Sequence, residues 1–331
     1  MGIADPLRRV LRARRQGAWQ DVAARYLARP LEFWGTDAPR HAEKLENKKR
    51  AVRDRDGGSD ADVIDTALSM AYQRRTQRPA PVYITGLGGS GSHWVSGMLH
   101  DLGGLVAAGE VYFPKALTDA LAASSIADQA CAIDAVHLVH GWPRTPDIAA
   151  ASIVNCAAGV HKLPRYKSWD PDAVGVYLVR DPRDQVLSVT FRKPAFRRYE
   201  DPDASDEQYL VRMAQRNAAS YEQYRAVAEH VDIVCRYEDL CRDPRPLLRD
   251  VLSRMHRSID DDVVDRSAVK HDAATIRAGT GSTITNLDGG GRARSWHEVA
   301  DPAQRRILHA HLRGVITGLG YPPDDGFEPS D

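Results

Sequence analysis

From Pro81 onward, short apolar runs alternate with stretches whose apolar positions recur every three to four residues. The runs Val82 to Thr85, Leu105 to Ala108, Ala157 to His161, Val174 to Val179 and Val231 to Arg236 read as strands. Runs this continuous belong to strands buried on both faces, so the pattern predicts an α/β fold with a parallel sheet flanked by helices. A final helix starts at Asp301-Pro302, a cap followed by a first-turn proline. It carries Ile307, Leu308, Leu312, Val315 and Ile316 on its apolar face and stops at Gly318 and Gly320.

Residues 1 to about 78 have another texture, rich in arginine, alanine and mixed charge, with Trp19, Leu27, Leu31 and Trp34 as apolar anchors. This reads as helices and loops. Arg53 to Ser59 is a loop, and Asp60 is expected to cap a helix with Val63, Ile64, Ala67, Leu68 and Ala71 on one face. A cationic helix from Pro6 to Leu27 has two readings: a solvated arm packed on the main domain, or peripheral contact with an anionic membrane surface. The expected organisation is a helical region 1–78, a main domain 79–322 and a short tail 323–331.

Charge narrows the function classes. The 331 residues carry 45 basic and 45 acidic side chains, for a sequence pI near 7.2. A protein that grips nucleic acid over a wide surface needs a basic excess, so any anion site here is local. No run approaches the ~18 apolar residues of a membrane span. The five arginines between Arg8 and Arg15 are followed by no apolar stretch of the secretory kind. Cys131, Cys156, Cys235 and Cys241 form no C-x-x-C pair, and a reducing cytoplasm is the expected compartment.

The first strand runs into Gly86-Leu-Gly-Gly-Ser-Gly-Ser-His-Trp94, with a helix after it. Glycines let the backbone wrap an anion, while amides and a helix N-terminus supply donors. Gly86, Gly88 and Gly91 satisfy G-x-G-x-x-G, and Glu110 ends the next apolar run, where a dinucleotide enzyme holds a ribose. The same stretch outlines a triphosphate loop, but Ser92 and His93 replace its Lys and Ser/Thr, which argues against magnesium-dependent ATP or GTP chemistry. Further on, Val179 leads into Arg180-Asp-Pro-Arg-Asp-Gln-Val-Leu-Ser188. Asp181 can cap and Pro182 start a helix that places Ser188 and Arg192 four apart on one face. Arg180, Ser188 and Arg192 then converge as a second phosphate clamp, which a nicotinamide fold does not need.

These residues resemble the sulfotransferases that use 3′-phosphoadenosine 5′-phosphosulfate (PAPS). Gly86 to Trp94 is similar to the family's 5′-phosphosulfate loop, and Arg180 with Ser188 to its 3′-phosphate motif. Cys235-Arg-Tyr-Glu-Asp-Leu240 followed by Asp243-Pro244 resembles the strand-end segment after it, and Trp296 the tryptophan closing the late cofactor loop. The matches run in the family's order from 81 to about 318. Within the family the pattern resembles the tyrosylprotein sulfotransferase type and its bacterial relatives. That resemblance implies a P-loop-like nucleotide fold, PAPS as donor, 3′,5′-adenosine bisphosphate as product and no metal. It also implies cofactor contacts from Gly88, Gly89, Ser90, Gly91, Ser92, His93, Trp94, Arg180, Ser188, Arg192 and Tyr237, with Arg292 and Arg294 as late-loop donors. Glu110 falls on the type's catalytic carboxylate and Lys162, in His161-Lys-Leu-Pro164, on its sulfuryl-contacting lysine. Two departures stand out. Gly89 occupies the place of a Lys or Arg, and Gly289-Gly-Gly-Arg292-Ala-Arg-Ser-Trp296 lacks the Arg-Lys-Gly of the cytosolic type.

Sulfuryl transfer needs in-line positioning, cations at the leaving oxygen and a base for the acceptor's proton. Glu110 is the first choice of base and His161 its rival. Strand alternation predicts that His161 and Lys162 point to opposite faces. His137 and His140 read as structural, and Asp181, Arg183 and Asp184 as capping and surface charges. The acceptor hydroxyl is open among a sugar, a phenol, a lipid, a natural product and a peptidyl tyrosine. The alternatives are an NAD(P)-dependent oxidoreductase built on the G-x-G-x-x-G loop and, because of Gly89, a catalytically inactive PAPS-binding protein.

Overall fold

The computed structural model describes residues 18–35, 38–76, 79–144, 148–156, 159–192, 197, 200–278 and 296–323. Its helices and strands begin with α1 (Ala18–Ala28), α2 (Pro30–Trp34), α3 (Pro39–Asp56) and α4 (Asp60–Gln73). Then follow β1 (Val82–Thr85), α5 (Ser92–Asp101), β2 (Leu105–Gly109), α6 (Lys115–Ala120), α7 (Ile126–Gly141) and β3 (Ser152–Asn155). After these come α8 (Leu163–Trp169), β4 (Val174–Val179), α9 (Pro182–Arg192), α10 (Asp206–Ala226), β5 (Ile233–Arg236) and α11 (Tyr237–Arg242). The last are α12 (Arg245–Arg254), α13 (Asp261–Lys270), α14 (Ala273–Arg277), α15 (Trp296–Val299) and α16 (Pro302–Gly318).

The strands form one sheet in the order β2-β3-β1-β4-β5, and the pairs β1/β3, β2/β3 and β4/β5 are parallel. The expected α/β class holds. The order also decides between two readings of the glycine loop. In the dinucleotide fold β2 lies beside β1, which is what brings its terminal carboxylate to the ribose. Here β3 is inserted between them, pairing Val82 with Val154 on one side and Val106 with Ile153 on the other. Glu110 does not occupy the ribose-binding position of that fold, and the oxidoreductase reading loses its motif.

One strand expectation fails. Ala157 to His161 was expected to be the third strand, yet β3 is Ser152–Asn155, and Val160–Lys162 is a 3₁₀ turn. Gly159 at φ +84° breaks the extended run, so the alternation argument for His161 and Lys162 does not apply. Ala157 itself lies outside the described residues.

Two compact units divide the chain. The first comprises residues 1–83, 99–157 and 165–173. Its centre is α7, buried on every side from Ala130 to Gly141, mostly apolar but carrying Asp134, His137 and His140 inside. Trp19, Tyr26 and Leu27 of α1, Leu45 and Val52 of α3, and Ile64 and Leu68 of α4 belong to the same core. The cap of α4 is Ser59 rather than Asp60, in a reciprocal box with Asp62. One buried polar cluster inside is well paired: Arg74 meets Asp134 at 2.8 Å and donates to the carbonyls of Ile148, Ala149 and Ala151. His140 is driven down to about 3 by burial and stays neutral, as a structural histidine. Of the cationic helix expected over 6–27, only the part from Ala18 lies among the described residues.

The second unit comprises 84–98, 158–164 and 174–331. Its core joins Val186, Leu187 and Val189 of α9 to Tyr209, Leu210 and Met213 of α10 and Leu308, Leu312, Val315 and Ile316 of α16. The start of α16 is the expected one, with Asp301 as N-cap and Pro302 in the first turn.

Candidate functional site

In the second unit, β1 ends at Thr85, whose hydroxyl donates to the Val176 carbonyl on β4 at 3.0 Å. The chain then turns through the glycine loop into α5. Gly86, Gly89 and Gly91 have φ of +145°, +88° and +92°, values that L residues with a side chain adopt only under strain. At Gly86 space is also lacking, since a Cβ would stand 2.7 Å from the Leu178 carbonyl oxygen. Gly91 lies flat against the Tyr237 ring, which a Cβ would meet at 3.1 Å.

Three side chains hold this loop. Arg180, at the end of β4 and 5% exposed, donates to the Gly89 carbonyl at 3.1 Å, and its guanidinium carbon lies 4.5 Å from the Tyr237 ring centroid. Gln185 on α9 donates to the carbonyls of Leu87 and Gly88 and accepts from Asn217 of α10 at 2.9 Å. Trp94 donates to the His271 carbonyl and meets Tyr237 edge to face. With these carbonyls turned toward side-chain donors, and the Ser90 amide itself donating to the Leu87 carbonyl at 3.2 Å, the N-terminus of α5 is what the loop presents to an anion.

Two buried donors in the cradle have no hydrogen-bond partner among the described residues: the hydroxyl of Ser90, which is fully buried, and Nε of Arg180. Unsatisfied buried donors cost ~1–3 kcal/mol each, a cost that an anionic ligand removes. Ser188 is also buried on α9. Burial pushes the Tyr237 hydroxyl up to about 12, which keeps it a proton donor. The backbone of Arg192 closes α9, and Arg292 and Arg294 lie outside the described residues. Ser92 opens α5, and His93 beside it is exposed. Leu87 and Gly88 also line a largely apolar pocket with Val186, Val189 and Met213.

Of the charges after Arg180, Asp181 caps as expected by accepting from the Arg183 amide and Asp184 is half-buried, but Asp181 and Arg183 are not at the surface. Asp181 and Arg183 are buried and paired at 2.7 Å. Arg183 also donates to the Pro322 carbonyl and lies over the Trp296 ring at 4.4 Å. Tyr321 donates to Glu238, which accepts from the Asp181 amide as well. This network pins Trp296 and the chain after α16 to the start of α9. Sequence reasoning missed it because the residues it links lie 57 to 139 positions apart.

His161, in the 3₁₀ turn, is exposed and hydrogen-bonded through Nδ1 to Gln223 of α10 at 2.9 Å. Lys162 beside it is half-buried, and that burial lowers its pKa.

Glu110 belongs to the first unit, directly after β2. Asn155 at the end of β3 accepts from the Val111 amide and donates to the Val111 carbonyl, fixing the backbone at Glu110 from its C-terminal side. The Glu110 carbonyl accepts from Lys44 at 2.9 Å, and its carboxylate accepts from the Tyr112 hydroxyl at 3.3 Å. The carboxylate is thus oriented, and it is half-buried. Lys44, Tyr112 and Asn155 were not identified from sequence.

Among the described residues no cluster of His, Cys, Asp and Glu is suited to a metal ion, and no helix is long and apolar enough to cross a membrane. No protein-family model and no curated protein matches the chain. Solved structures do. Mouse sulfotransferase SULT7A1 complexed with PAP matches at 12% identity and a TM-score of 0.48, over 73% of this chain and 88% of that one. Sulfotransferase STF9 from Mycobacterium avium matches at 12% identity and a TM-score of 0.43, over 93% and 98%. The sulfotransferase domain of the Synechococcus PCC 7002 olefin synthase matches at 16% identity and a TM-score of 0.40, over 71% and 96%.

Proposed function

We propose that the chain is a sulfotransferase that takes a sulfuryl group from PAPS and passes it to a hydroxyl-bearing acceptor. The observation that carries this reading is Arg180. It is fixed between the Gly89 carbonyl and the Tyr237 ring, at the junction of strand end and glycine loop, with Nε unpaired. A buried guanidinium held in this way is a preorganised phosphate ligand.

In this reading the loop from Gly88 to Trp94 and the N-terminus of α5 hold the 5′-phosphosulfate. Arg180, Ser188, Arg192 and Tyr237 serve the 3′-phosphate side, and Arg292 and Arg294 add charge from the late loop. The donor supplies an activated sulfur whose bond to the phosphate oxygen breaks as the acceptor oxygen attacks. Glu110 takes the acceptor's proton, held in position by Tyr112 and by the Asn155 clamp. Lys162 offsets charge on the transferring and leaving oxygens, a task for which a half-buried ammonium is stronger than a solvated one. His161 is a positioning residue, its ring engaged by Gln223. The free cysteines, with Cys131 and Cys156 buried, fit a reducing cytoplasm. The motif pattern resembles the tyrosylprotein type, a likeness that leaves the acceptor open.

The test is transfer of labelled sulfate from PAPS to a panel of phenols, sugars, lipids and tyrosine peptides. Labelled sulfate ester on one class of acceptor is the expected result. Binding of adenosine bisphosphate without turnover on any acceptor would favour the inactive binding protein, the reading that Gly89 supports.

A further inference from the structure

Among the described residues of the first unit, the deeply buried cations Lys49 and Arg74 are each held by carboxylate and backbone carbonyl oxygens. Lys49, 1% exposed, donates to the Leu27 carbonyl at 2.8 Å and to Glu46 at 2.9 Å. Arg74 has Asp134 and three carbonyls. Against that standard Lys48 and Arg144 stand apart within a row of neighbouring cations. Arg40, Lys44 and Lys48 follow one another at four-residue spacing on α3, which stacks them along one face. The turn Trp142–Arg144, which follows α7 directly and packs against α3, adds Arg144. Lys44 reaches the Glu110 carbonyl. Lys48 and Arg144 have no hydrogen bond and no ion pair among the described residues.

These cations press on one another. Burial lowers the pKa of the half-buried Lys44 and Lys48, and repulsion from Arg144, which is itself exposed, lowers both further. Glu110 is the carboxylate that opposes this at Lys44, and among the described residues no carboxylate does so at Lys48. Like charges stacked on a helix and partly removed from water are a cost that stability alone does not explain. An anion bound among them relieves both the repulsion and the desolvation. Beside them the His41 ring lies between Trp34 and Tyr112, each at 4.6 Å, and Tyr112 in turn holds Glu110. The body of a ligand therefore has a wall of rings to lie on.

We propose that Lys44, Lys48 and Arg144 form an anion site next to Glu110 that binds a carboxylate, sulfate or phosphate group on the acceptor. This rests on the sulfotransferase reading for the word acceptor alone; the anion site is a property of the first unit. It selects hydroxyl compounds that already carry negative charge over neutral ones.

The probe is pyranine, a fluorescent phenol bearing several sulfonates, with uncharged hydroxypyrene as its control. Wild-type protein is expected to bind pyranine more tightly than hydroxypyrene, with an affinity that falls as salt is added. In Lys48→Gln/Arg144→Gln the pyranine affinity should drop by at least about tenfold, the worth of a lost charge-assisted contact, while hydroxypyrene is unaffected. Lys48→Arg keeps the charge and should keep the binding, which separates recognition from a fault of folding. Equal pyranine affinity in the wild type and the double variant overturns the proposal, as does loss of binding in Lys48→Arg equal to that in Lys48→Gln. Titration of the same samples with 3′,5′-adenosine bisphosphate tests the donor reading separately. Failure there with pyranine behaving as expected leaves the anion site standing and removes the sulfotransferase.

Discussion

Arg180 donates to the carbonyl oxygen of Gly89 across 3.1 Å, so the end of β4 and the glycine loop are held as one piece. The same guanidinium is proposed to bind the donor's 3′-phosphate. Arg180→Ala and Ser188→Ala should therefore weaken binding of 3′,5′-adenosine bisphosphate, by ~1.5–3 kcal/mol for the charged contact and less for the hydroxyl. The discriminating ligand is adenosine 5′-phosphosulfate, which lacks the 3′-phosphate. Calorimetry should show a smaller loss for it, and an equal loss for both ligands would place the contact elsewhere.

The loop glycines should differ in what a methyl group does. At Gly86 a Cβ meets the Leu178 carbonyl at 2.7 Å with φ +145°, and Gly86→Ala should cost ~2–4 kcal/mol from overpacking and strain. At Gly89 a Cβ sits 3.6 Å from Val189, an ordinary contact, so Gly89→Ala bears only the left-handed backbone, ~1–2 kcal/mol. Urea unfolding orders the two, and the reverse order would contradict the loop geometry. The strain at φ +88° also limits how far Gly89→Arg restores the cation that the family carries there.

Much of this architecture was legible in the chain, and the failures have physical causes. β1, β2, β4 and β5 appear as apolar runs, to within two residues at their ends. β3 escaped because its ends are polar: Ser152 opens it, and Asn155 closes it with a buried amide clamping Val111. The apolar Ala157 to His161 run attracted the assignment instead, although Gly159 turns it. Gln185, which holds the loop, is one polar residue among many on a helix, and only the partner Asn217 from α10 reveals its role. The spacing of Arg40, Lys44 and Lys48 was visible, but its meaning depends on Arg144 and Glu110, which the fold alone brings near.

For catalysis, Glu110→Gln keeps shape and hydrogen bonding but removes the base, so turnover should fall ~10²–10⁴-fold with adenosine bisphosphate affinity nearly intact. Lys162→Ala should lower both turnover and donor affinity, and His161→Ala should have a small effect. Steady-state kinetics with PAPS decides this. Turnover that survives in Glu110→Gln and vanishes in His161→Ala transfers the base to the histidine.

Burial and the neighbouring Asp181 raise the Asp184 carboxyl to about 7. A carboxyl whose folded pKa lies above the unfolded value of ~3.9 contributes stability that is complete below that value and is lost as pH rises through about 7. Asp184→Asn imitates the neutral acid and should flatten this slope, so that melting temperature falls less between pH 5 and pH 8 than it does for wild type. Parallel slopes for the two proteins would show that Asp184 titrates normally.

The central claim is that the cradle of Gly86 to Trp94, Arg180 and Tyr237 binds an adenosine carrying phosphate at both its 3′ and 5′ positions. Isothermal titration with 3′,5′-adenosine bisphosphate, adenosine 5′-monophosphate and NADPH tests it most directly. The account predicts saturable binding of the bisphosphate, at least about tenfold tighter than the monophosphate, and no comparable binding of NADPH. Binding of NADPH with none of the bisphosphate would contradict it.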